Sequence, residues 1–155
     1  MKGLLLTFML CLGCLSISAQ DYSIVSEGVD NNGNYVMRIV VSTKKKPSKS
    51  AEDLVRQYAV YGVMFRGVAA ANGYSGHPAL IKDPNVEQTK KAWFDAFCNE
   101  GGYRRYVSIT PSSLSVLKNK QSKMTETSAL VTVSANELRQ YLEKEGIIKG
   151  LSNLW

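Results

Sequence analysis

The sequence predicts an α+β fold, a two-layer sandwich in which a mostly antiparallel sheet carries its helices on one face. Three observations predict it. Residues 35–43 set Tyr35, Met37, Ile39 and Val41 against Val36, Arg38, Val40 and Ser42, the two-residue period of a strand with one wholly apolar face. Residues 51–62 place Leu54, Val55, Tyr58, Ala59 and Gly62 at helical spacing, which makes one stripe to bury. Residues 126–133 alternate again, with Ala129, Val131 and Val133 on one side, and run into Ser134 and Glu137, the S-x-x-E pattern of a helix start. Helices interspersed with strands argue for a sheet covered on one side, in the order ββαβαββα.

The first residues read as an address. Lys2 gives a positive start, residues 3–15 an apolar run, and Ala19 a small residue for cleavage, so residues 1–19 are expected to be a signal peptide and 20–155 a single domain. The apolar run is shorter than the roughly 18 residues a membrane span needs, and no later stretch approaches that length. Export to the periplasm or the exterior follows. Cys14, after Leu12 and Gly13, offers the alternative of a lipid anchor. Cleavage after Ala19 removes Cys11 and Cys14 and leaves Cys98 as the single cysteine, so the mature chain has no internal disulfide and depends on core burial.

In chain order, residues 21–29 and 35–43 are strand-like around the turn residues 30–34, a hairpin. Ser50 with Asp53 resembles a capping box for the helix that starts at Ala51. After Tyr61 and Gly62 the pattern changes to one that fits a strand over residues 63–68. Residues 69–84 have no period and read as a long loop. Residues 85–99 read as a second helix with Val86, Trp93 and Phe97 on one face, ended by Gly101 and Gly102. Residues 103–110 read as a strand, and Pro111 then makes residues 113–117 an edge strand. The last helix buries Leu138, Tyr141 and Leu142 and stops at Gly146, and residues 147–155 are apolar enough to pack back on the domain or dock on a partner.

The chain carries 19 basic and 13 acidic residues. The excess is local, in Lys44, Lys45, Lys46 and Lys49 and in Lys118, Lys120 and Lys123. Either cluster could meet an anionic glycan or lipid, but neither has an aromatic residue interleaved for base stacking, so nucleic acid is not the expected partner. One histidine and one mature cysteine do not make a usual metal-ligand set, and the glycines match no nucleotide fingerprint, so neither metal nor cofactor is expected. Cys98 with His77 is the nearest approach to a catalytic pair, whereas a thiol beside Phe94 and Phe97 is ordinarily a small buried side chain. Tyr58, Tyr61, Trp93 and Tyr103 read first as core aromatics and second as a stacking surface. Arg66, flanked by Phe65 and Gly67, needs solvent, a carboxylate or a ligand, and with Tyr74 and His77 it marks the 69–84 loop as the expected binding site.

Residues 59–67 (AVYGVMFRG), Trp93-Phe94 with Phe97 before residues 100–103 (EGGY), and residues 138–143 before 146–151 (GIIKGL) resemble a group of small, exported, uncharacterised proteins of Bacteroidota. The resemblance spans most of the mature chain. It implies a shared fold and brings no functional residues, since its motifs are turn glycines and core aromatics. A looser, architectural similarity links the chain to small modules of bacterial envelope assemblies. The expected function is an exported, non-catalytic envelope protein that binds a protein partner or an envelope polymer. The alternatives are a small thiol-dependent hydrolase using Cys98 and His77, and a basic module that binds anionic glycan or lipid.

Overall fold

The sheet begins at a turn that one aspartate ties. In the computed structural model, which describes residues 22–44 and 49–150, Asp30 Oδ1 accepts from the backbone N–H groups of Asn32 (2.8 Å) and Asn34 (2.9 Å), and Oδ2 from Asn34 Nδ2 (2.8 Å). Bonds to the ionised form, with Asn34 first, hold the Asp30 carboxyl below its ordinary range. The turn joins β1 (Tyr22–Val29) to β2 (Tyr35–Thr43) in antiparallel register, Ile24 opposite Ile39. The hairpin read from the sequence is present.

Five strands make one open antiparallel sheet in the order β1-β2-β5-β3. The longest, β5 (Met124–Val133), pairs with β2 on one side from Thr125 to Val133. On its other side β3 (Val107–Ile109) pairs with residues 131–133 and β4 (Ser115–Asn119) with residues 124–128. Together β3 and β4 are one edge strand broken by a 3₁₀ turn at Pro111–Ser113, where proline removes a ladder donor. One face carries Met37, Ile39, Val41, Ala129, Val131 and Val133, all fully buried under the helices. The other carries Arg38, Val40, Ser128 and Thr132, exposed or half-buried. The α+β class and the antiparallel sheet expected from the sequence are therefore what the chain forms.

Helix α1 (Ala51–Phe65) lies across the buried face and contacts β1, β2, β3 and β5. Ser50 caps it, accepting from the Asp53 N–H at 3.2 Å. The helix does not give way to a strand at residue 63. Val63 and Met64 continue its buried stripe, and the N–H groups of Arg66 and Gly67 both close on the Gly62 carbonyl at 2.9 and 2.8 Å. Gly62 stands inside the helix because a Cβ there would strike the Ile24 side chain of β1, so this glycine marks close packing rather than a break.

Two other expectations change. Residues 85–99 form two helices, α2 (Val86–Thr89) and α3 (Lys91–Asn99), hinged at Lys90. Residues 102–106 are a 3₁₀ helix (Gly102–Tyr106) and not a strand, because Tyr103 and Tyr106, three apart, are both buried while Arg104 and Arg105 are exposed. The last helix, α4 (Ala135–Lys144), buries Ala135, Leu138 and Leu142; its Ser134 makes no side-chain cap and instead donates its N–H to the Tyr106 carbonyl at 2.9 Å. Gly146, at φ 66°, ends it as expected, and Ile147 is buried beyond it. Residues 1–21, which include the expected signal peptide and Cys14, lie outside the described residues, as do 45–48 and 151–155. No helix among the described residues is long and apolar enough to cross a membrane.

Candidate functional site

The segment read as a periodless loop is a small hairpin fastened to the free edge of β1. Val68 and His77 exchange backbone hydrogen bonds at 2.8 and 2.9 Å, and Ala71 and Tyr74 exchange theirs at 3.2 and 2.8 Å. Between the inner pair, Asn72 (φ 52°) and Gly73 (φ 83°) both take positive φ, the geometry of a type I′ turn. Asn-Gly is the strongest short hairpin signal a sequence can carry, and it stood at 72–73 among alanines that concealed the flanking strands. On the β1 side, Ser26 donates its N–H to the Ala69 carbonyl at 2.8 Å. Beyond the hairpin, Leu80 and Ile81 donate theirs to the Val63 and Met64 carbonyls at 3.1 and 2.8 Å.

Two glycines let these backbones approach. A Cβ on Gly67 (φ 75°) would run into the His77 carbonyl and come within 2.9 Å of the Ala79 nitrogen; one on Gly76 would come within 2.6 Å of the Val68 carbonyl. Both limits are backbone atoms. The segment is consequently a hairpin closely packed at Gly67 and Gly76 rather than a loop without structure.

Of the three residues expected to bind, the hairpin holds two. Tyr74 is 48% exposed and lays its ring over Gly28, where a Cβ would stand 3.2 Å from the ring; the next residue, Val29, is 57% exposed. His77 is half-buried, its ring stacked on Tyr35 at 3.9 Å and 7°, and its Nε2 is buried without a hydrogen-bond partner among the described residues. Arg66 lies elsewhere. It donates from Nη1 to the Tyr22 carbonyl at 3.1 Å and sets its guanidinium 4.6 Å from the Tyr22 ring centre. Arg66 thus packs on Tyr22 at the start of β1, whereas the Tyr74 ring lies over Gly28 near its other end. The structure does not bring Arg66 to the hairpin tip.

Cys98 and His77 occupy different neighbourhoods. Burial pushes the Cys98 thiol up, with the Gln57 side chain and Lys49 acting the other way, so the protonated form is favoured at neutral pH. None of these groups touches the Tyr35–His77 stack. Among the described residues, no three of His, Cys, Asp and Glu come together to hold a metal ion.

The lysines divide similarly. Lys49 donates to Gln57 Oε1 at 2.7 Å and lies over Tyr103, Lys44 is exposed, and Lys45 and Lys46 fall outside the described residues. Lys118, Lys120 and Lys123 are exposed on and beside the β4–β5 turn, next to Val116 and Leu117, 47% and 62% exposed.

A second feature escaped the sequence reading. Trp93, Ala96 and Phe97 of α3 and Glu100 at its C-cap, with Gly102, Arg105 and Tyr106 of the 3₁₀ helix and Tyr141 of α4, line a cleft of about 380 Å³. Gly102 shapes it, since a Cβ there would lie 2.7 Å from the Phe97 ring. Trp93 Nε1 donates to Glu145 Oε2 at 3.3 Å, tying the cleft's α3 wall to the end of α4. The spacing of 93, 96, 97 and 100 was visible as one helical face, but Tyr106 was assigned to a strand and Tyr141 to the core, so the ring cluster did not emerge.

Comparison with protein-family models, with curated proteins and with solved structures gave no match for this chain.

Proposed function

We propose that the chain is an exported, non-catalytic envelope protein that binds a protein partner, and that the 67–79 hairpin with the adjoining end of β1 is the contact. One observation carries the reading: Tyr74, its ring over Gly28, and Val29, the next residue of β1, are both exposed, and the hairpin backbone is fixed by hydrogen bonds at both ends. An aromatic side chain held this way loses little freedom on binding, which is why rigid aromatic anchors dominate many protein interfaces. The stack of hairpin His77 on Tyr35 of β2 ties the base of the hairpin to the sheet.

The test is capture from a solubilised envelope fraction by the tagged full chain and by a Val29→Glu, Tyr74→Arg double variant. Both residues are exposed, so the variant is expected to melt at the parental temperature and to lose the captured protein. Equal capture by the two chains removes the hairpin as the contact.

The β4–β5 turn favours a second reading, the basic module. Exposed Val116 and Leu117 of β4 lie in the strand that leads into a turn carrying Lys118, Lys120 and Lys123, so apolar side chains and positive charge occur together there, a combination that suits an anionic lipid surface.

A further inference from the structure

We propose that the free edge of β4 is a docking site for an extended, acidic strand of a partner protein, which adds to the sheet by backbone hydrogen bonds. The proposal is independent of the hairpin contact, which adjoins the opposite edge of the sheet.

The backbone directions along β4 follow from β5. Leu130 donates its N–H to Ser113 Oγ at 2.8 Å and accepts the Thr110 N–H on its carbonyl at 2.9 Å, so both of its groups point away from β2. The N–H and C=O of one strand residue point to the same side, and the side alternates from residue to residue. Ser128, Glu126 and Met124 therefore point the same way as Leu130, towards their partners Ser115, Leu117 and Asn119 in β4. Val116 and Lys118 lie between those partners. Their N–H and C=O groups face outward, where no further strand follows among the described residues. The edge thus presents two donors and two acceptors at the two-residue repeat of an extended chain, the arrangement used when a peptide adds a strand to a sheet. At the opposite edge, Ile24 and Ser26 of β1 already bond to Ala69.

The side chains decide the occupant. Leu117, opposite Glu126, is exposed on the open face of the sheet, and Val116 and Lys118, opposite Thr127 and Thr125, are exposed on the helix-bearing side. Thr125 also pairs with Thr43, which brings Lys44 to the same end of the sheet as Lys118, Lys120 and Lys123. All four lysines are exposed, and none belongs to an ion pair among the described residues. Residues 115–133 carry one acidic residue against them, Glu126. A second copy paired antiparallel about Leu117 would crowd the lysines of both chains into one seam, and edge lysines are a common defence against such self-pairing. A strand with a carboxylate opposite Lys118 and an apolar side chain opposite Leu117 instead meets opposite charge and covers the exposed leucine. An anionic lipid surface would use the same lysines but leave the outward backbone groups of Val116 and Lys118 unused.

The experiment titrates the full chain with a short fluorescent peptide that alternates valine and glutamate. The controls are the same peptide with an N-methylated backbone, its counterpart with lysine for glutamate, and phosphatidylglycerol vesicles. The glutamate peptide is expected to bind and to slow amide hydrogen exchange at Val116 and Lys118, and the N-methylated and lysine peptides are expected not to bind. Val116→Pro removes an outward N–H and no bond to β5, so the chain is expected to stay folded and to bind the peptide about tenfold or more weakly. Lys118→Glu with Lys120→Glu is expected to reverse the preference in favour of the lysine peptide. No binding of the glutamate peptide up to about 1 mM overturns the proposal, and so does binding that N-methylation, a folded Val116→Pro chain or the charge reversal leaves unchanged. Vesicle binding without peptide binding overturns it in favour of a lipid surface. The Val29→Glu, Tyr74→Arg variant should bind the peptide like the parent, which separates this outcome from failure of the hairpin contact.

Discussion

Arg104 grips Asp53 with two parallel hydrogen bonds, Nε to Oδ1 at 2.9 Å and Nη2 to Oδ2 at 2.7 Å. The fork joins the 3₁₀ helix to the first turn of α1, fifty-one residues earlier. Arg104 first, then the charges of Arg56 and Lys49, hold the Asp53 carboxyl below its ordinary value against a smaller effect of burial. A carboxyl depressed in the folded chain stabilises it above the unfolded pKa, near 3.8, and loses that contribution as pH falls through the folded pKa. Asp53→Asn should therefore lower the melting temperature at neutral pH, with the gap from the parent closing only in acid below that value. A gap that stays constant into strong acid would show that the ionised carboxylate contributes nothing.

The hairpin glycines should differ sharply. Gly67→Ala meets backbone atoms and adopts a left-handed φ, so it should cost at least about 2 kcal/mol. Gly73→Ala adopts a similar φ in open space and should cost only about 1 kcal/mol. Chemical denaturation of both variants measures this, and equal losses would mean that the close approach at Gly67 relaxes freely.

Cys98→Ala should destabilise by about 1–2 kcal/mol through a small cavity and leave partner capture intact. The native thiol, half-buried and with its pKa raised, should react slowly with a neutral-pH thiol reagent. Fast labelling would favour the thiol-enzyme alternative.

Any attraction to anionic surfaces should come from the β4–β5 turn. Lys118→Gln, Lys120→Gln and Lys123→Gln together should abolish retention on anionic vesicles at low salt, and raising the salt should do the same to the parent, because exposed charges are screened within about 10 Å at 0.1 M. Retention that survives both changes excludes the lysines as its cause.

The strands with one buried face were legible because alternation reports burial directly, as in Met37, Ile39 and Val41. Errors gathered where one residue type has two uses. Gly62 read as a break, yet it is absent side-chain volume inside a helix that lets Ile24 in. Tyr103 and Tyr106 fit a strand or a 3₁₀ turn over so few residues, and only the burial of both decides between them. In the hairpin, alanines and glycines carry no period, so hydropathy was silent while Asn72 and Gly73 held the signal. The cleft was illegible for another reason: its walls come from three elements far apart in sequence, and only their packing makes Trp93, Tyr106 and Tyr141 neighbours.

The position of β5 has a bearing on the order in which the chain is made. The strand at the heart of the sheet is the last one synthesised, and it pairs Val133 with Tyr35 and with Val107. Until β5 has emerged, β2 lacks the strand on its inner side, and β1 and β2 can pair only with each other and, at the outer edge of β1, with Ala69 of the short hairpin, a small sheet that is marginal in water. Helix α1 likewise lacks part of the surface that buries its stripe. A nascent chain growing from its N-terminus should thus remain extended and threadable through most of its synthesis, then fold once, late, around a strand with partners nearly a hundred residues behind it.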